Sequence, residues 1–325
     1  MPTTHVEPLP LWSVIFTGDE QHSTHPSFQH WFGQKKPTPF YTFVGSRSML
    51  QHTWDRADQL SHPNCKITIV AKSYLHEVCT QLGGRVPGII ITEPRHRGRV
   101  VSLFLALTYL QIKEPRALVV FYPSDHFIYP ENLFLKTVQR MIWSTERFPD
   151  HIFIIGATET ASRQSEDGIV LDQPLGWTHG YPLYGVKGLA PASEQDTDEY
   201  PPQTAILANT SVLAAQVDVL WNLGWDFFPQ MMDLFDELQD AIETSYEQAV
   251  LERIFQHPKI WEISLSSLLQ LAPQLAVIEL EKVLWSDWAK PQQILENMAE
   301  IGKQPTFPLE YTRDARAWHA PWPQT

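Results

Sequence analysis

The sequence lacks paired cysteines and an excess of positive charge. Two cysteines, Cys65 and Cys79, occur among 325 residues. Their neighbours do not have the spacing of metal ligands, which excludes a disulfide scaffold and a structural zinc site as organising principles. Lysine and arginine number 24 against 37 aspartates and glutamates, a net charge of −13. Broad binding to nucleic acid or to an anionic membrane needs a basic field, so we expect neither partner.

Long apolar runs are also missing. No stretch approaches the roughly 18 residues of a membrane span, and the longest, 100–110, predicts a buried helix. The first residues carry no basic region followed by an apolar segment, so we expect no signal peptide and a cytoplasmic protein. Core-forming residues are abundant, with 43% hydrophobic and 12% aromatic. This length allows about two domains, or one large α/β domain with an appended piece.

The first half of the chain alternates β-branched runs with helical patterns, which is typical of βαβ units and a mainly parallel sheet. Strands are predicted over 11–16, 66–70, 88–92, 117–122 and 152–155, and helices over 48–60, 75–82, 100–113 and 132–147. Short extended pieces follow at 168–172, 184–187 and 205–207, and residues 190–203 predict a solvated loop. Further helices are predicted over 214–223, 228–244, 246–256 and 291–301, and a strand over 275–280.

Two Ser-Asp pairs, at 124–125 and 286–287, come shortly after apolar runs. Asp125 lies just past the strand predicted over 117–122, where open α/β sheets bind ligands. Asp287 follows the apolar residues 283–285 much later in the chain. Mg²⁺ typically binds one or two protein carboxylates, and water and substrate phosphates complete its octahedral coordination. Taken singly, each aspartate is more often a helix cap or a turn residue, so both interpretations stay open at this point.

The segment 93–99 is the best candidate anion site of this acidic chain. It concentrates Arg95, Arg97 and Arg99 between a predicted strand and a predicted helix. Guanidinium groups and the positive end of a helix both suit phosphate oxygens. A solvated basic turn is an equal alternative on composition alone. The loop at 18–23 has one glycine and two acids, whereas a phosphate-cradling loop needs several glycines and a cation, so by itself it predicts an ordinary polar loop.

In this order and spacing, the motifs resemble those of the sugar-1-phosphate nucleotidyltransferases, and most nearly their mannose-1-phosphate guanylyltransferase branch. The resemblance runs from about residue 11 to residue 301. Its motifs are Pro-Ser-Asp-His at 123–126, Glu-Pro at 93–94 followed by Arg97, Trp-Ser-Asp at 285–287, the segment 37–51, and Asn-Thr-Ser at 209–211. It implies a Rossmann-like three-layer α/β/α nucleotidyltransferase fold with a mixed, mainly parallel sheet.

The resemblance also implies a reaction. A nucleoside triphosphate, GTP in that branch, and a sugar 1-phosphate, mannose 1-phosphate, give a nucleotide sugar and pyrophosphate. Two aspartates hold Mg²⁺, which neutralises the charge of the reacting phosphates. By position, Asp125 and Asp287 would be these metal ligands and would be catalytic. The family's Pro-Lys-Gln-Phe lysine falls on Thr38, so Lys36 would supply the catalytic cation, with Lys35 or Arg47 as alternatives.

The remaining roles fall on five positions. Gly18, Glu93 and Arg97 would bind the nucleotide, and Lys187 and Asn209 would bind the sugar phosphate. The expected organisation is a nucleotidyltransferase-like domain over 1–265 and a C-terminal segment over 266–325 that closes the site and ends in a Pro/Trp-rich tail. A homo-oligomer or a partner subunit would agree with the aromatic residues of that tail, which fold back onto the domain in the alternative interpretation.

The first loop departs from the family's Gly-Gly-x-Gly-Thr-Arg pattern. It reads Gly-Asp-Glu-Gln-His-Ser at 18–23, so two glycines and the phosphate-binding arginine are missing. Loss of one preorganised donor to a developing oxyanion costs roughly 10²- to 10³-fold in rate, and a close acid repels a triphosphate by about 1–4 kcal/mol. We therefore expect a transferase of the mannose-1-phosphate guanylyltransferase type with reduced activity. The alternative is a catalytically silent paralogue acting as a ligand-sensing regulatory or scaffolding subunit.

Overall fold

The computed structural model describes residues 9–18, 25–158, 167–191, 206–288 and 290–308. These residues form a nine-stranded sheet, a separate two-stranded ribbon and flanking helices. The sheet contains β1 (Leu11–Phe16), β2 (Lys66–Ala71), β3 (Ile89–Glu93), β4 (Leu118–Pro123), β6 (Ile152–Ala157), β7 (Asp167–Thr178), β8 (Tyr181–Pro191), β9 (Ile206–Gln216) and β10 (Leu275–Leu280). The ribbon pairs β5 (Phe127–Tyr129) with β11 (Leu284–Ser286).

The helices are α1 (Pro26–Phe32), α2 (Met49–Asp58), α3 (Leu75–Leu82), α4 (Arg99–Lys113), α5 (Glu131–Arg147), α6 (Val217–Phe227), α7 (Pro229–Gln239), α8 (Glu247–Gln256), α9 (Leu265–Gln270) and α10 (Pro291–Glu300). Within the described ranges, none of them has the length and apolar character needed to cross a membrane. Every residue of α4 from Val100 to Leu110 is buried, which confirms the buried helix expected from this apolar run.

The strand order of the sheet is β3-β2-β1-β4-β9-β6-β10-β8-β7. Strands β3, β2, β1 and β4 are parallel neighbours, and β6 is parallel to β10. β9 lies antiparallel between β4 and β6, and β8 is antiparallel to both β10 and β7. Among the described strands of this sheet, β8 and β9 therefore run against the direction that the other seven share. This mixed, mainly parallel sheet between helices confirms the three-layer α/β fold.

Two apolar cores cover the two faces of the sheet, because the central strands are buried on both sides. Val14 and Phe121 point into the core that contains α4, α6, α7 and α8. Their chain neighbours Ile15 and Val120 point to the opposite face and pack with α2 and α5. The alternation of strand side chains thus explains why β1 and β4 read as continuous apolar runs in the sequence.

Element predictions were accurate in the first half and weaker beyond it. The predicted strands over 168–172, 184–187 and 205–207 are parts of the longer strands β7, β8 and β9, whose glycines, prolines and polar residues hide the strand pattern. The helix predicted from 214 begins at Val217, because β9 extends to Gln216. Four elements were not predicted from the sequence, namely α1, α9 and both strands of the ribbon. The loop predicted over 190–203 lies mostly outside the described residues.

The last described segment returns to the sheet and to the ribbon. β10 lies inside the sheet between β6 and β8, and β11 pairs with β5. α10 then packs with Trp288 against an aromatic core that includes Phe28, Trp31 and Phe43. The C-terminal part of the chain therefore contacts the sheet, the ribbon and the aromatic core. These contacts fix the position of the residues that follow β11.

Candidate functional site

A cleft with about 350 Å³ of room opens at the carboxyl ends of β1, β3 and β4. Its walls include residues that end or follow these strands, together with residues from β9, α4, the ribbon and the segment before α9. Ligands of open α/β sheets bind at this edge. Five of the residues that the sequence assigned to a site line the cleft, namely Gly18, Glu93, Asp125, Asn209 and Asp287.

The ribbon brings Asp125 and Asp287 into the same cleft. Phe127 of β5 lies opposite Ser286 of β11, so the residues just outside this pair leave the ribbon from neighbouring points. The rings of Phe127 and Trp288 stack with 4.3 Å between their centroids and hold the two segments together. Two carboxylates from distant parts of the chain thus line one cleft.

Asp125 has an oxygen that lacks a protein donor. Its Oδ1 is buried and forms no hydrogen bond, and its Oδ2 lies 3.8 Å from Nη2 of Arg99. A buried carboxylate oxygen is costly unless a cation or a donor satisfies it. Asp125 and Asp287 together offer the carboxylate pair that Mg²⁺ accepts when water and ligand oxygens complete its coordination shell. The described residues contain no cluster of three or more His, Cys, Asp or Glu suited to a metal. Two carboxylates fit Mg²⁺ only in an open site, where water and ligand oxygens supply the other positions.

His126 packs behind Asp125, and 4% of its side chain is exposed. Its Nδ1 accepts a hydrogen bond from Nε1 of Trp285 over 3.3 Å, and its Nε2 lies 3.7 Å from Oδ1 of Asp125. Burial lowers the pKa of His126 to about 4; the charge of Asp125 opposes this shift, and the charges of Arg99 and Arg56 add to it. The imidazole is therefore neutral at physiological pH.

Glu93, the last residue of β3, lines another wall of the cleft, shortly before α4 begins. Its carboxylate is buried, accepts a hydrogen bond from Ser102 and lies 3.3 Å from Nδ1 of His96. Gly98, the residue before α4, has φ +87°, and a Cβ there would lie 2.9 Å from Cγ of Glu262. Glycine is therefore required for the turn that presents Glu93 and the first residues of α4 to a ligand.

Asn209 and Ser211 lie where β9 departs from regular pairing with β6. The register shifts between Ile154 and Gly156 of β6, and such bulges re-aim side chains. Oδ1 of Asn209 accepts a hydrogen bond from the Ser211 backbone N–H over 2.9 Å. The amide NH₂ of Asn209 is then the group that can donate to a ligand. Ser211 has φ +55°, which is uncommon for a residue with a Cβ.

Three residues assigned from the sequence lie elsewhere. Nζ of Lys36 is 3.2 Å from Oε1 of Glu77, and the Arg97 guanidinium donates to the backbone carbonyl of Phe255 over 3.3 Å. Lys187 is exposed on β8. None of these three is among the described residues that line the cleft.

Arg99 is the cation that the sequence analysis did not select from the basic segment. It lines the cleft beside Asp125, and Arg97 does not, because Gly98 turns the chain between them. The positive φ of Gly98 could have been suspected from its position before a helix. The rest of the first loop, 19–23, lies outside the described residues.

The described part of the cleft is acidic. Its lining includes the carboxylates of Glu93, Asp125, Asp167, Glu262 and Asp287. Arg99 is the one lysine or arginine among the described residues that line it. An anionic ligand therefore needs a further cation besides Arg99 in this cleft. A divalent metal bound by two carboxylates would supply that positive charge.

No protein-family model matches the chain, and no curated protein matches its sequence. Solved structures do match. The chain is similar to the mannose-1-phosphate geranyltransferase from Thermus thermophilus, with a TM-score of 0.67 and 16% identity over 87% of this chain and 78% of that one. It is also similar to the mannose-6-phosphate isomerase from Helicobacter pylori, with a TM-score of 0.66 and 14% identity over 86% and 100% of the two chains.

A third match is the inositol-1-phosphate CTP transferase from T. maritima, with a TM-score of 0.57 and 13% identity over 91% of this chain and 95% of that one. Identities this low carry the fold alone. The comparisons therefore confirm the α/β fold, and the chemistry of this chain has to be argued from its own cleft.

Proposed function

We propose that this protein is a Mg²⁺-dependent sugar-1-phosphate nucleotidyltransferase of the mannose-1-phosphate guanylyltransferase type. The convergence of Asp125 and Asp287 in one cleft, beside Asn209 and Glu93, carries the proposal. Similar structures include proteins described as a mannose-1-phosphate geranyltransferase and an inositol-1-phosphate CTP transferase, which supports this class of chemistry. The substrates of the proposal are GTP and mannose 1-phosphate.

Asp125 and Asp287 would hold Mg²⁺, which when bound offsets phosphate charge and orients the reacting groups. Arg99, beside Asp125, would donate to a phosphate oxygen of the triphosphate. Asn209 would donate its amide N–H to a sugar hydroxyl. Glu93 accepts hydrogen bonds in its buried position and would take the N–H donors that guanine presents. Lys36 and Arg97 keep their sequence-derived roles only if each leaves its present partner.

The reaction forms one bond and breaks one. A phosphate oxygen of the sugar 1-phosphate attacks the α-phosphorus of the triphosphate, and the bond from that phosphorus to the bridging oxygen of the β-phosphate breaks. The electron pair leaves with pyrophosphate. The protein supplies position and charge rather than a covalent group, as is usual for phosphoryl chemistry.

A second candidate function is a catalytically silent paralogue that senses a ligand or supports a partner subunit. The acidic lining of the described cleft favours it, because its five carboxylates outnumber its one arginine and would repel a triphosphate unless cations are added. The same ligands would bind weakly without turnover in this case.

Pyrophosphate release tests the proposal. The full chain is assayed with Mg²⁺ across a panel of nucleoside triphosphates and sugar 1-phosphates, alone and as Asp125→Asn. Asp233→Asn, an exposed change on α7, is the matched control for removal of one carboxylate. We expect release with GTP and mannose 1-phosphate that Asp125→Asn loses and Asp233→Asn keeps. Folded wild-type protein that releases no pyrophosphate with any pair would reject the transferase and favour the silent paralogue.

A further inference from the structure

A buried hydrogen bond links the two segments that carry Asp125 and Asp287. Nε1 of Trp285 donates to Nδ1 of His126 over 3.3 Å, and the two rings meet edge to face with 5.1 Å between their centroids. His126 and Trp285 are 4% and 3% exposed. His126 follows Asp125 directly, and Trp285 precedes Asp287 by two residues. The bond therefore lies at the base of the two-carboxylate site.

The donor of this bond selects the tautomer of His126. An indole N–H can only donate, so Nδ1 has to accept with its lone pair and cannot carry a proton. The ring proton then sits on Nε2. This tautomer also prevents His126 from being a metal ligand, because one ring nitrogen is occupied by Trp285 and the other by its proton.

The Nε2–H group faces an oxygen that needs a donor. Nε2 has no hydrogen-bond partner within the described part of the chain and lies 3.7 Å from Oδ1 of Asp125. That oxygen is buried and also forms no hydrogen bond. Hydrogen bonds of active sites are often long in the free protein and tighten when the ligand is bound. A closure of about 1 Å or less would bring this pair within ordinary hydrogen-bond distance.

We propose that His126 is a positioning residue for Asp125. Trp285 holds it as the Nε2–H tautomer, and Nε2–H donates to Oδ1. This bond would orient the carboxylate and leave Oδ2, on the side of Arg99, as the oxygen available to a bound cation. The inference rests on the proposed function, because it assigns how that site holds its cation. Groups that orient a metal-ligating side chain typically change metal affinity by about 10- to 100-fold.

The tautomer is tested by ¹⁵N NMR of the histidine rings in the full chain, with His126→Asn used to assign the signals. We expect a protonated Nε2 and an unprotonated Nδ1 in the wild type. Trp285→Phe should lose this single-tautomer signature, because phenylalanine keeps a ring and removes the donor. A protonated Nδ1 in the wild type would overturn the inference, and this result is independent of any enzymatic activity.

Metal affinity is tested by titration with Mn²⁺ alone, since Mn²⁺ shares the oxygen ligands of Mg²⁺. We expect Trp285→Phe to bind Mn²⁺ about 10- to 100-fold more weakly than the wild type. The matched control is Trp54→Phe, which removes a buried indole bond to Thr68 in the same core and should leave affinity unchanged. Equal Mn²⁺ affinity of Trp285→Phe and the wild type would overturn the positioning role.

Two changes at His126 separate donation from packing. His126→Gln places an amide N–H near the position of Nε2, whereas His126→Asn reaches only the position of Nδ1. We expect His126→Gln to retain more Mn²⁺ affinity than His126→Asn. Equal loss in both would reject donation to Asp125. A wild type that binds no Mn²⁺ would overturn the inference and the metal site together. If the wild type releases pyrophosphate but the His126 and Trp285 variants bind Mn²⁺ as tightly as it does, the positioning role fails and the proposed function stands.

Discussion

The two sides of the proposed chemistry are built differently in this molecule. The carboxylates, Asp125 and Asp287, reach the cleft through paired backbone and buried rings. The cations predicted from the sequence, Lys36, Arg97 and Lys187, lie away from the described cleft. Buried strand pairing fixes where a short carboxylate points. Long basic side chains, in contrast, take the nearest acid or carbonyl and can be placed only when the whole fold is known.

This difference predicts that catalysis depends more on the carboxylate side than on the sequence-assigned cations. Substitutions of the carboxylates, of the two arginines, of Lys36 and of Ser211 test this difference, with effects expected to decrease in that order.

Removal of either carboxylate of the proposed metal site should have the largest effect. Asp125→Asn and Asp287→Asn should each lower the rate of pyrophosphate release by roughly 10²- to 10³-fold, the loss typical of one electrostatic group in a transition state. The double variant should be little worse than either single variant, because both carboxylates would act on one ion. Steady-state kinetics with Mg²⁺ in excess measure this. An Asp287→Asn enzyme with wild-type kinetics would break the carboxylate half of the comparison.

Two arginines of one segment should differ in their effects. Arg99→Ala should raise the KM for the triphosphate by about 10- to 100-fold, because a charge-assisted hydrogen bond contributes about 1.5–3 kcal/mol. Arg97→Ala should change KM little and lower the free energy of unfolding by about 1 kcal/mol, since it removes the bonds to the Phe255 carbonyl. Kinetics and urea unfolding of both variants separate the two roles. The reverse pattern would restore Arg97 as the nucleotide-binding residue.

The Lys36 ion pair should matter less. Nζ of Lys36 is 3.2 Å from Glu77, and both side chains are partly exposed, a setting in which ion pairs contribute about 0–1 kcal/mol. Lys36→Met should therefore leave the rate of pyrophosphate release within about threefold of the wild type, less than about 1 kcal/mol on the barrier. A loss comparable with that of Asp125→Asn would show that Lys36 leaves Glu77 during turnover and acts as the catalytic cation the sequence predicted.

The sequence pattern was enough to place Asp125, whereas the assignment of Asp287 rested on the family resemblance. Asp125 follows a buried strand, and its place at the sheet edge is set by β4. The ribbon that delivers Asp287 was missed because three-residue strands carry almost no periodicity. Arg97 was preferred to Arg99 because the family's motif places the nucleotide-binding arginine at that position. The two are separated only by Gly98, and its φ of +87° decides which guanidinium faces the cleft.

The smallest effect is expected at Ser211, where the site holds backbone strain. An L-residue in the left-handed region costs roughly 1–2 kcal/mol, and glycine recovers part of this while adding freedom to the unfolded chain. Ser211→Gly should therefore raise the free energy of unfolding by up to about 1 kcal/mol.

Ser211→Ala separates the hydroxyl from the backbone strain. It keeps the Cβ and the backbone N–H that donates to Asn209, so it should stay at or below wild-type stability. Urea unfolding of the three proteins measures the order. Because Asn209 is held by this turn, sugar 1-phosphate binding should survive both changes if the bond from the Ser211 N–H persists. A Ser211→Gly protein less stable than Ser211→Ala would contradict backbone strain at this position. The bulge of β9 would then store no strain.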